Sequence, residues 1–350
     1  MVRISKTLFS EDGEKLIYEY KLKNANGVEV HCLNFGCAIT KIITPDRHRS
    51  FENIALGYQD FANYQHNRIY AGVIAGRVAG RIKNAEFELE GKPYCLTSND
   101  GKHHLHGGLK GFHHVIWDEE IVEQEKEAVL KFSYISLDGE EGYPGTLKMT
   151  VTYSLNDKNE LIIHYQGKSD QATLLNPTSH TYFNLSGNLK RDTTEHILTI
   201  DSDNFLELAE DLLPTGKLLD VSSTVFDFRG GRKIIEGINS DATQNKLAGQ
   251  GYDHPFVLNS HNNQEIILYD EESGRRLIIE TDAVGVVLYT GNHIPSDLDF
   301  GSVRSGPYLG VCLETQGLPD SIHHPQFPSC VLAKDENFST VTKYTFDVMA

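Results

Sequence analysis

Leu147-Lys-Met-Thr-Val-Thr-Tyr-Ser-Leu155-Asn-Asp-Lys-Asn159-Glu-Leu161-Ile-Ile-His-Tyr-Gln166 sets the class of this chain. Residues 147–155 and 161–166 read as strands. Asn156 to Asn159 between them is a turn signal, because Asn and Asp side chains bond their own backbone. The pattern continues outward. Upstream, residues 15–23 alternate, with Leu16, Tyr18, Tyr20 and Leu22 on one face. Residues 27–37 and 38–43 read as two more strands, 87–96 as a hairpin turning near Gly91, and 129–135 as another strand. Downstream, 266–269 and 276–281 flank Asp270 to Gly274, and 286–290, 309–314 and 343–348 close the series. Short helices are expected around 58–64 and 233–248. No β-helix-β alternation appears, which disfavours a parallel α/β sheet. The fold class expected is all-β, a large antiparallel β-sandwich with few short helices. Residues 1–350 form one domain in this reading, since no linker, low-complexity tract or solenoid period divides them.

Composition narrows the partners. A chain of 350 residues, 39% apolar, can bury a large core, and its net charge of −17 argues against nucleic acid or an anionic membrane. No apolar run is long enough for a membrane helix, and residues 1–10 lack the apolar stretch of a signal peptide. Five cysteines, odd in number and without a C-x-x-C pair, read as reduced thiols of a cytoplasmic protein.

Polar chemistry collects in five stretches. Residues 174–187 place His180 beside Tyr182 and Phe183 in a half-buried setting, where a histidine can be tuned near neutral pH. Gly72 to Ile82 holds Arg77 and Arg81 in a glycine-rich apolar run; one of them is as readily an internal ion pair as a ligand group. His103-His-Leu-His106-Gly-Gly would put His104 and His106 on one face if it were a strand. A metal reading is weak there, because no Asp, Glu or Cys stands at ligand spacing. The better use is a neutral histidine bonding a hydroxyl, with His113 and His114 as idle loop residues. Asp253, between Gly251-Tyr252 and Pro255, is as readily a backbone cap as a ligand. Residues 309–319 run an apolar strand into Glu314, on the same face as Cys312, as a desolvated base or a rim residue.

Taken together, Gly76-Arg-Val-Ala-Gly-Arg-Ile82, Leu105-His-Gly-Gly108, Asn176-Pro-Thr-Ser-His-Thr-Tyr-Phe-Asn-Leu185, Gly251-Tyr-Asp-His254, Tyr289-Thr-Gly-Asn292 and Gly310-Val-Cys-Leu-Glu-Thr-Gln316 resemble the aldose 1-epimerase family, in the family's order. The resemblance implies an isomerase with a single antiparallel β-sandwich. It makes His180 the general acid and Glu314 the general base, with Arg81, His106 and Asp253 holding sugar hydroxyls. Tyr182, beside His180, is expected to stack on the sugar's apolar face. The substrate implied is a free aldohexose such as galactose or glucose, and the two anomers interconvert by ring opening and reclosure. No hydride or phosphate moves, so neither cofactor nor metal is required. Glu314 must start ionised and His180 protonated, which predicts a bell-shaped pH profile with the acidic limb on Glu314 and the alkaline limb on His180. Two positions depart from the family: Gly80 stands where relatives often carry asparagine, and Val287 where some carry glutamine. The rival readings are a glycoside hydrolase using Glu314 and Asp253, a hexose-6-phosphate 1-epimerase, and a non-catalytic sugar-binding protein. Monomer and homodimer both stay open.

Overall fold

The computed structural model describes residues 3–13, 15–123, 126–301 and 303–349; residues 1, 2, 14, 124, 125, 302 and 350 of the expected 1–350 domain lie outside the described residues. Among those described, three larger sheets organise the chain, and every strand pair within them is antiparallel. The largest has nine strands, ordered Asp118–Glu123, Glu127–Ser136, Leu147–Asn156, Glu160–Ser169, Asn337–Val348, Arg275–Thr281, Ile266–Tyr269, Ile197–Ile200 and Arg232–Lys233. The turn at Asn156 to Asn159 brings Leu155 opposite Leu161. Along Leu147–Asn156 the buried side chains are Leu147, Met149, Val151, Tyr153 and Leu155, the period-two alternation of a strand with one face in a core.

A second sheet follows chain order: Arg3–Asp12, Lys15–Lys23, Glu29–Leu33, Ile39–Pro45 and Phe51–Asn53. The third carries the site. Its strands are β1 (Tyr182–Phe183), β2 (Asn204–Leu208), β3 (Pro214–Asp220), β4 (Asp253–Val257), β5 (Gly285–Tyr289) and β6 (Val311–Gln316), ordered β1-β6-β5-β4-β2-β3. One apolar cluster draws on all three sheets: Leu130, Phe132, Val151 and Ile163 from the first, Tyr20, Leu22 and Ile42 from the second, and Phe256, Val286, Leu288, Val311 and Leu313 from the third. The sheets therefore share one core, as a β-sandwich requires.

The differences from the sequence reading have local causes. Leu16, expected on the buried face, is 42% exposed, and Ile17 is buried in its place. A bulge between Leu8 and Ser10 in the partner strand shifts the register at that end, so the alternation holds only from Tyr18 to Leu22. The strand expected over 27–37 is shorter, Glu29–Leu33, because Cys37 turns through a left-handed φ of 50°. Arg3–Asp12 and β3 are mostly exposed and polar, so no apolar alternation announces them. The helix expected near 58–64 is Phe61–Gln65, capped by the Asp60 carboxylate accepting the Asn63 N–H at 2.9 Å. The one expected over 233–248 is two, Ile235–Ile238 and Thr243–Leu247. No helix among the described residues is long and apolar enough to cross a membrane.

Candidate active site

Strand parity builds the floor. On β6, Val311 and Leu313 enter the core, leaving Glu314 and Gln316 on the opposite face, along a cleft of about 200 Å³. On β5, Val286 and Leu288 are core, and Val287 and Tyr289 line the cleft. On β4, Phe256 is core, and Asp253 and Pro255 line the cleft; on β1, Phe183 is core and Tyr182 lines it. Glu314 sits opposite Val287, and Asp253 opposite Tyr289. Asp253 thus lies two strands from Glu314, roughly 10 Å across the sheet at the usual strand spacing, and two residues along it. Beyond it the lining turns apolar, with Leu208, Leu212 and Pro214.

Short backbone ladders set the walls. Residue 180 is clamped on both sides: its N–H donates to Val73 O at 2.9 Å and its carbonyl accepts from Gly72 N–H at 3.0 Å. Arg81–Ile82 pairs with His104–Leu105, so Arg81 and His106 arrive together. His106 leaves that ladder at φ 49°. Its N–H donates to Gly80 O at 3.1 Å, and its Nδ1 accepts the Gly80 N–H at 3.2 Å. Gly80 itself has φ +76°, and a Cβ there would lie 3.0 Å from Pro319 Cβ. The position suits glycine, or an asparagine that tolerates left-handed backbone.

His180 and Glu314 meet. Nε2 of His180 lies 3.5 Å from Glu314 Oε1, with both side chains buried. The His180 Nδ1 faces Cys312 Sγ at 3.5 Å. The His106 and His180 rings stand 5.1 Å apart at 90°, and Tyr70 packs against both, at 4.7 and 5.9 Å. Arg81 Nε donates to Asp100 at 2.7 Å.

Donor atoms of His106, His180 and Glu314 fall within 4.8 Å of one another, so a metal has to be weighed. The hydrogen-bond pattern opposes one. Nδ1 of His106 already accepts the Gly80 N–H, which puts the ring proton on Nε2. His106 therefore offers the cleft an N–H, suited to a hydroxyl oxygen, and no lone pair for a cation.

Burial reverses the expected charges. It pushes the His180 imidazole down to about 4. It pushes the Glu314 carboxyl well above its ordinary range; Asp253 adds to that rise and Arg81 opposes it. Asp253 is also raised, chiefly by burial, against Arg81 and His293. Both shifts favour the neutral forms, imidazole and carboxylic acid, because desolvation penalises each charged form. The starting ion pair expected from sequence carries the same number of protons, with one moved from carboxyl to imidazole.

Comparison with known proteins bears on this constellation. The family model described as aldose 1-epimerase matches residues 18–345. The chain belongs to the aldose 1-epimerase family. It is 35% identical over 353 residues to galactose mutarotase from Rattus norvegicus, covering 99% of this chain and all of that one. It is 32% identical to maltose epimerase from Levilactobacillus brevis, covering 99% of each chain. The crystal structure of galactose 1-epimerase from Lactobacillus acidophilus superposes with a TM-score of 0.90 at 30% identity, over 100% of both chains.

In this aldose 1-epimerase family member, all six residues singled out from sequence, His180, Glu314, Arg81, His106, Asp253 and Tyr182, line one cleft. Tyr182 stands differently from the expected stacking platform. It is 1% exposed, its hydroxyl donates to Ile69 O at 2.9 Å, and its ring lies 5.1 Å from that of His180, so it backs the histidine. The two arginines separate cleanly. Arg77 is buried away from the cleft and gives its guanidinium hydrogens to Ser136, Leu137, Pro144, Thr173 and Gly145. His104 is also structural, bonded to Thr97 O at 2.7 Å and the Tyr143 hydroxyl at 2.8 Å. It does not share a face with His106, because residue 106 has left the strand. His103 turns to Asp211 at 3.3 Å. His113, expected to idle in a loop, is buried against Tyr70 at 4.9 Å.

Tyr70, Tyr289 and Gln316 also line the cleft; the last two belong to motifs that carry the resemblance, but no role is expected of them from sequence. Gln316 shares the parity of Glu314, and that spacing alone would have found it. Tyr70 has no such signal, since it reaches the cleft from a turn at φ 55°.

Proposed function

We propose that this chain interconverts the α and β anomers of free aldohexoses such as galactose and glucose, with Glu314 as base and His180 as acid. Glu314 takes the proton from the C1 hydroxyl, and that electron pair closes C1=O1. The C1–O5 bond breaks, and its pair takes the proton from His180 Nε2. Rotation about C1–C2 turns the other carbonyl face to O5, and both protons return. Each transfer is typically worth about 10²- to 10⁴-fold. Arg81, His106 and Asp253 hold the hydroxyls while C1 turns. The observation that carries this reading is the 3.5 Å approach of His180 Nε2 to Glu314 Oε1 across one cleft.

Two further features refine it. The arginines at the cleft are both paired, Arg68 with Asp297 at 2.8 Å and Arg81 with Asp100 at 2.7 Å, which disfavours a sugar phosphate. The apolar stretch at Leu208, Leu212 and Pro214 lies past Asp253, away from Glu314, and supports acceptance of reducing sugars substituted far from C1, the kind the maltose epimerase relative is named for. The shared core supports a single domain, and five unpaired cysteines support a cytoplasmic site of action, as monomer or homodimer in hexose and galactose metabolism.

Polarimetry of freshly dissolved α-galactose, α-glucose and maltose tests the reading. Wild type speeds the drift, and His180→Asn and Glu314→Gln each slow it by about 10²-fold or more. Release of nitrophenol from a nitrophenyl galactoside, or full activity in Glu314→Gln, would refute it.

A further inference from the structure

We propose that Cys312 is a positioning residue that holds His180 in one tautomer, with the fixed proton on Nδ1 and Nε2 facing the sugar. The inference rests on the acid role proposed for His180. In ring opening the proton leaves Nε2, and in reclosure it returns there. Between the two steps the neutral imidazole must therefore keep its remaining proton on Nδ1. A neutral imidazole has two tautomers, and the partner of the far nitrogen selects between them.

That partner is the Cys312 sulfur, 3.5 Å from Nδ1, and no other side chain among the described residues bonds that nitrogen; a thiol can accept from Nδ1–H or donate to a bare Nδ1, and only the first leaves Nε2 free to exchange its proton with O5. Cys312 is completely buried, and burial pushes its thiol well up, so it stays a thiol. The strand pairs Tyr182–Cys312 and Tyr289–Cys312 fix its backbone on both sides. One strand, β6, thus supplies the base at Glu314 and the far-side contact of the acid at Cys312. The choice of sulfur has a chemical consequence. A carbonyl or carboxylate at that nitrogen would stabilise imidazolium strongly, whereas sulfur is a weak acceptor. The bound proton stays easy to give to O5.

Nitrogen-15 NMR at neutral pH, where His180 is neutral, reads the tautomer directly, with His180→Asn used to assign its signals. Wild type is expected to show Nδ1 protonated. Cys312→Ala is expected to move the population toward the Nε2 form and lower kcat for galactose about tenfold at near-constant KM. Nε2 protonation in the wild type overturns the proposal, and that measurement needs no variant to fold. An unchanged tautomer together with unchanged kcat in Cys312→Ala overturns it as well. A wild type that does not speed mutarotation would instead sink the acid role itself, whichever tautomer is found.

Discussion

At the scale of single residues, burial decides who carries which proton. Sequence logic gives the acidic limb of the pH profile to Glu314 and the alkaline limb to His180. The cleft inverts that. As pH falls toward about 4, His180 gains a second proton for the pair while Glu314 is still an acid, and the base is lost. As pH rises through the raised Glu314 value, the pair loses its only proton, and the acid is lost. The bell remains, but its limbs change owners. Glu314→Gln should therefore abolish the acidic limb of whatever activity survives and leave a single fall with rising pH set by His180, measured as kcat/KM against pH.

At the scale of elements, the run from Gly72 to Ile82 joins the site to the sandwich, and its two arginines divide the work. Arg81 reaches the cleft, while Arg77, 2% exposed, ties the run to the end of Glu127–Ser136 and to the loop at Pro144 and Gly145. The acceptors are spread in a fork that guanidinium fits and an ammonium does not. Arg77→Lys should cost about 3 kcal/mol or more in urea unfolding, with KM for galactose unchanged, because residue 77 does not line the cleft. The two arginines look alike in sequence, four residues apart in a glycine-rich run. What distinguishes them is which neighbouring strand each side chain meets. The same holds for His104 and His106: their two-residue spacing suggests a common face, and one left-handed residue removes it.

For the whole molecule, the count of buried histidines sets acid tolerance. His113 and His254 are pushed down to about 3, and His180 and His196 to about 4, in each case chiefly by burial. His106 is also pushed well below its ordinary value, chiefly by burial. Each has a lower value folded than unfolded, so below about 6.5 the unfolded chain binds more protons and stability falls with falling pH, by up to about 1.4 kcal/mol per pH unit per histidine. Glu314 and Asp253, raised by burial, work in the opposite sense but are only two. Thermal unfolding should therefore show Tm dropping steeply from pH 6.5 to 4; a flat Tm over that window would mean these rings are protonated in the folded chain.

The amino-acid order determined the period-two strands at 147–155 and 161–166, the turn between them, and the parity that puts Glu314 opposite the core-facing Val311 and Leu313. These are local, because alternation and turn chemistry act between near neighbours. It also carried the six motif residues, through their family resemblance. Only the tertiary structure decided that His180 and Glu314 meet, that Arg77 is masonry and Arg81 is site, that Tyr70 braces two histidines, and that burial disfavours the charged form of acid and base alike. Those outcomes depend on which distant strands become neighbours and on how much water is left between them. Neither quantity is written in any short stretch of the chain.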